Sequence, residues 1–174
     1  TAYEIYQCDW SSDVCSSDLK GNYMKFKLAL AALLFAVGTA QAVELGVTAN
    51  RDYSQNPDRN GWGVTVGEKI GKTSVTGGFE RYTQNSNDTN RYSVVAGYDV
   101  AQFGAVTITP KVGVAFIDPT TTASGWQGTV GVGASYALTK NVALTADYRY
   151  QTSFQTNVEN FNGNVITGGL KYSF

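Results

Sequence analysis

The chain has 174 residues, 43% of them hydrophobic, with 13 Lys+Arg against 14 Asp+Glu and a formal net charge of −1. That balance gives no electrostatic reason to bind nucleic acid, and the absence of histidine removes His-dependent catalytic triads and the usual zinc sites. The length suits a single domain.

Residues 1–19 show no hydrophobic period. Asp9 to Leu19 can be back-translated into a stretch that resembles a common short-read sequencing adapter, and we read 1–23 as non-native adapter and leader translation, set aside as a fusion scar would be. Cys8 and Cys15 both fall there, so no thiol chemistry is expected of the remainder. Met24 then opens a signal peptide over 24–42. Lys25 and Lys27 supply its positive start, and Leu28 to Val37 is an apolar run too short to span a bilayer. Ala40 and Ala42 form the small-x-small cleavage pattern. The expected mature domain, 43–174, carries equal numbers of acidic and basic residues and no long apolar run. If it enters a membrane it must do so as a closed barrel, because only helices and closed barrels satisfy every backbone group in lipid.

Eight strand-like segments follow, at about 43–53, 62–67, 72–82, 91–100, 105–117, 125–138, 142–154 and 164–174. Each alternates apolar residues with small or polar ones, as a strand with two unlike faces must. In the first, Val43, Leu45, Val47 and Ala49 oppose Glu44, Gly46, Thr48 and Asn50. In the fifth, Val112, Val114 and Phe116 oppose Lys111, Gly113 and Ala115, and Pro110 predicts a bulge or bend. Stretches 54–61, 84–90, 118–124 and 155–163 read as longer polar loops, and 68–71, 101–104 and 139–141 as tight turns. The last strand ends on Leu170, Tyr172 and Phe174 on one face, with Thr167, Gly169 and Lys171 on the other. A strand at the terminus makes sense where the last must pair with the first to remove both edges.

The Leu170-x-Tyr172-x-Phe174 ending is similar to the C-terminal assembly signal of bacterial outer-membrane barrels. The signal segment, eight strands and alternating loop lengths together resemble the small barrels of the OmpA-membrane-domain, OmpX and opacity-protein type. The resemblance implies an all-β, eight-stranded antiparallel up-and-down transmembrane β-barrel in the outer membrane, probed by the assembly machinery through its last strand, in contact with outer-membrane lipid and lipopolysaccharide, and monomeric. No peptidoglycan-binding segment follows Phe174, so tethering is not expected. A soluble ligand-binding barrel would turn the apolar face inward instead. Three features favour apolar-out: the small residues of the polar face, aromatics near strand ends, and the terminal Phe174.

With that orientation Glu80, Lys111, Asp147 and Arg149 point inward at mid-depth, and Glu44, Asp99 and Lys171 lie lower. Buried charges must pair, so a salt-bridged interior is expected, with a narrow ion path as the alternative. Asp52, Asp58, Asp88 and Glu159 read as solvated loop charges. The stretch Gly67 to Thr73 has the wrong spacing for a phosphate loop. No enzyme activity, cofactor or metal is expected. The function expected is structural or surface-interaction through the outer loops, with an unnamed surface ligand, and a narrow pore or a soluble periplasmic barrel as alternatives.

Overall fold

The structure, a computed structural model, describes residues 42–54, 58–84, 87–120, 123–154 and 162–174. The proposed adapter and signal segments up to Gln41, including Ala40, lie outside these residues. So do the centres of three of the four loops and Glu159. Ala42 is the first described residue, and its carbonyl accepts a hydrogen bond from Lys69 N at 3.1 Å.

Nine strands are described: β1 (Val43–Asp52), β2 (Arg59–Ile70), β3 (Thr73–Gln84), β4 (Asn87–Tyr98), a three-residue β5 (Ala101–Phe103), β6 (Val106–Pro119), β7 (Gly125–Ala137), β8 (Val142–Ser153) and β9 (Gly163–Ser173). Each long strand pairs antiparallel with its chain neighbours, β4 pairs with β6, and β9 pairs with β1. The eight long strands therefore close into a barrel without an edge, and β5 is a short extension beside the start of β6. The terminal strand is held by its whole length, from Asp52↔Val165 to Glu44↔Ser173, and Phe174 N still donates to the Val43 carbonyl at 2.9 Å.

The closure has a defined stagger. Pairing followed once around from Val43 passes through Glu68, Val75, Ala96, Val112, Val130, Tyr150 and Asn164, whose carbonyl accepts from Tyr53 N. The path returns to the first strand ten residues higher. With a rise of about 3.3 Å per residue and a strand spacing of about 4.8 Å, that offset tilts the strands by about 40°.

The apolar side faces out. Tyr172, Val132 and Leu144 are 45%, 44% and 51% exposed, whereas Lys171, Thr129 and Arg149 line the interior. This overturns the soluble-barrel alternative. The upper aromatics form a girdle through neighbouring strands: Trp62 meets Phe79 at 5.9 Å between ring centroids, Phe79 meets Tyr92 at 5.3 Å, Tyr92 sits opposite Phe116, and Phe116 meets Trp126 at 5.3 Å. At the turn end Tyr172 and Phe174 pack edge to face at 4.8 Å. On β2 the girdle residue Trp62 and the turn-end Ile70 are eight residues apart, about 20 Å along the axis at that tilt, which suits an apolar band about 25 Å tall.

Several boundaries differ from the sequence reading. The stretch 101–104, expected as a turn, carries β5, and β6 runs on to Pro119, into the stretch expected as a loop. The stretch 84–90, expected as a loop, is mostly a hairpin: β3 runs to Gln84 and β4 begins at Asn87, because Thr83 and Arg81 hydrogen-bond Asp88 across the ladder. Asn60-Gly61 lies inside β2, and Lys69 in its last turn-side stretch, both of which were expected outside strands. The bend expected at Pro110 falls on the opposite strand. The β4–β6 ladder stops at Gly97↔Lys111, one residue short of Pro110, and resumes as Ala101↔Ile108, so the β4–β5 side carries one extra residue. The β7 ladder runs past Pro110 unbroken. Pro110 has no N–H to offer β4, and the extra residue takes up the gap.

Interior glycines are required by close approach. A Cβ on Gly131 would meet the Tyr148 carbonyl and sit 2.8 Å from Arg149 Cβ and 2.9 Å from its Cα, all parts of the neighbouring strand that cannot swing away. Gly131→Ala is therefore expected to lower barrel stability by about 1–3 kcal/mol. Urea unfolding in phospholipid vesicles, followed by tryptophan fluorescence, measures it; an unchanged midpoint would show that β7 and β8 can separate locally.

Candidate functional site: the polar interior

Seven strands (β1, β2, β3, β4, β6, β8 and β9) bring the interior charges together, and they pair by level. Near the turn end Lys171 Nζ lies 2.8 Å from Glu44 Oε1, and Lys69 Nζ lies 2.6 Å from Asp99 Oδ2, which also accepts from Thr109 Oγ1 through its other oxygen at 2.7 Å. Next comes the Lys111–Asp147 pair. Above it Arg149 grips Glu80 with both terminal nitrogens, Nη1 to Oε1 at 2.8 Å and Nη2 to Oε2 at 2.7 Å. Arg91 Nη1 donates to the same carboxylate at 2.7 Å. Tyr82 closes the cluster, donating its hydroxyl to Glu80 at 3.0 Å and accepting from Arg149 Nη2 at 2.7 Å. Toward the outer end Arg59 faces Asp52 at 3.6 Å, and Gln151 donates to Asp52 at 3.4 Å. Strand alternation produces this: these residues share the inward parity of their strands, and Asp99 continues that of β4 just past its end.

The two halves of the interior differ. A cavity of about 150 Å³ reaches from Glu44, Lys171 and Lys69 at the turn end up to Glu80 and Arg149, between walls of Thr, Ser and Gly. At about 30 Å³ per molecule that volume is room for about five waters. Beyond Glu80 the side chains fill the lumen: Asp52, Arg59, Tyr82, Arg91, Gln127, Gln151 and Val165 are each at most 4% exposed.

All seven interior charges named from the sequence are present in these pairs. Glu80 with Arg149, Lys111 with Asp147, and Glu44 with Lys171 are partners of one another, while Asp99 takes Lys69 instead. Arg91, Arg59, Lys69 and Tyr82 were missed as interior groups. Asp52, read as a solvated loop charge, is 2% exposed in β1. Its parity with Glu44 was the available signal. Asp58 and Asp88 are partly exposed and pair with Arg51 and Arg81 on the outer face. Asp88 stands beyond the aromatic girdle, where hydrogen bonds from Arg81 and Thr83 hold its carboxyl below the usual range. Leu170, Tyr172 and Phe174 all face outward. Among the described residues no cluster of metal-ligating side chains occurs.

An edgeless ladder, apolar outside and charged within, girdled by aromatics, defines a transmembrane β-barrel. The chain belongs to the outer membrane protein beta-barrel domain family, whose profile matches residues 13–174, a range that starts ahead of Met24. Its fold is shared with Neisserial surface protein A (TM-score 0.60, 21% identity, 76% of this chain and 96% of that one). It is shared also with a major outer membrane protein from Thermus thermophilus (0.54, 14%, 76% and 99%). A third likeness is to Ail, the attachment invasion locus protein of Yersinia pestis, crystallised with the heparin analogue sucrose octasulfate (0.52, 18%, 76% and 97%). No curated protein matches the chain.

Proposed function

We propose that this outer-membrane protein is a plugged anchor whose outer loops make surface contacts. The observation that carries this reading is the filled outer half of the lumen, from the Arg91–Glu80–Arg149 cluster to Asp52 and Arg59. An eight-stranded barrel leaves room for little beyond side chains, and charges locked to one another conduct nothing. The work then falls to the segments carried above the girdle, as binding work does on rigid scaffolds. Likeness of fold to Ail, a protein seen with a heparin analogue, agrees with a surface-contact role. In this reading the barrel has no enzymatic activity or cofactor and acts as a monomer of the small OmpA/OmpX-like type. A cleaved signal peptide delivers it, and the assembly machinery engages the Leu170-Tyr172-Phe174 strand. Outer-membrane lipid and lipopolysaccharide surround it.

A narrow pore is the second reading, favoured by the cavity that already occupies the turn-side half. Planar-bilayer recording separates the two. The purified barrel is expected to give no steady conductance, and Lys111→Ala, which only widens the half already open, is expected to leave that unchanged. Steady wild-type channels altered by Lys111→Ala or Arg149→Ala would establish the pore instead.

A further inference from the structure

Among the described residues the interior charges do not pair one to one. Lys171, Lys69, Lys111 and Arg59 each have an acid of their own, but Glu80 serves both Arg91 and Arg149. Among the described residues the lumen therefore carries one excess positive charge, located at that cluster. Neither arginine can give up its proton, and Tyr82 keeps its hydroxyl hydrogen to donate to Glu80. The same cluster holds buried donors with nothing to bind: Arg91 Nε and Nη2, and Arg149 Nε. Arg91 is 2% exposed. Water could satisfy those N–H groups but would leave the charge uncompensated in a low-dielectric lumen.

We propose that the barrel binds one small monovalent anion, of the size of chloride, at the Arg91–Glu80–Arg149 cluster. A single excess charge selects a monovalent ion. The cavity that runs from the turn end to Glu80 and Arg149 provides its way in, and the hydroxyls of Ser93, Thr129 and Thr167 on the cavity wall add further donors. The ion completes the charge balance of that cluster, so it stabilises the folded barrel and is absent from the unfolded chain.

The test is urea unfolding of the barrel in phosphatidylcholine vesicles, read by tryptophan fluorescence, with sodium gluconate replaced stepwise by sodium chloride at constant ionic strength. Gluconate is a far bulkier anion than chloride. The folded-to-unfolded ratio is expected to rise about tenfold when chloride stands at ten times its dissociation constant. Two variants should abolish that dependence. Arg91→Met removes the excess charge. Asn50→Asp adds a carboxylate of the same shape in the buried interior, where both amide atoms of Asn50 lack partners. If Arg91→Met does not fold, Asn50→Asp decides alone. Equal stability of the unaltered protein in the two salts would overturn the proposal, and so would a chloride effect that persists undiminished in the folded variants.

Discussion

Glu80→Ala is expected to weaken the barrel by about 3–5 kcal/mol, the largest effect of any single truncation of an interior side chain. Among the described residues Glu80 is the acid that pairs with both Arg91 and Arg149, whose side chains are 2% and 15% exposed. Removing the carboxylate leaves two guanidinium groups with no carboxylate between them, and strips Tyr82 of its acceptor. Breaking one partner of a buried cluster is far more damaging than replacing the cluster whole. The urea midpoint of Glu80→Ala should therefore recover substantially when Arg91 and Arg149 are both changed to Met. A Glu80→Ala barrel with wild-type stability would mean that water reaches the cluster freely and that the outer half is not sealed.

Val112→Arg is expected to cost about 2–4 kcal/mol in lipid, although nothing in the protein touches the new side chain. Val112 is 62% exposed on the outward face of β6, four residues from the girdle residue Phe116 and four from Ile108 near the turn end, so it sits at mid-height in the hydrocarbon. The cost comes from the solvent, not from packing. Its signature is position: the same change at a girdle position such as Tyr150 should cost much less, since the guanidinium can reach headgroups there. Folding efficiency and urea unfolding in vesicles of one composition measure both. Equal losses at the two heights would contradict the membrane orientation.

The fold was largely readable because lipid on one side and a cramped lumen on the other enforce strict alternation, and alternation is visible in a single sequence. Val43 to Asn50 and Ile166 to Phe174 show it without a break. What escaped detection lies where that contrast fades. Beyond the girdle neither face meets hydrocarbon, so strand residues there are polar on both sides; Arg59 and the Asn87–Asn90 segment read as loop for that reason, and Asp52, though inside the first strand, read as a solvated charge. Lys69 was lost the same way at the turn end. Continuing the inward parity of each strand past its last apolar residue would have found Asp52, Arg59, Lys69 and Arg91. Partner choice, such as Asp99 with Lys69 rather than Lys171, depends on the stagger between strands, and no local pattern encodes that number.

The ten-residue offset of the closed ladder carries a mechanical consequence. An offset of this kind is a whole number fixed by hydrogen-bond register, and changing it would require at least one seam to break its entire ladder and re-form it in a new register. Girth and strand inclination are therefore constants of the folded molecule, unlike the tilt of a lone membrane helix. In a host bilayer that is too thick or too thin, the adjustment must come from the acyl chains pressed against Leu45, Val64, Val130 and Ile166, which stretch or compress while the cylinder keeps its dimensions.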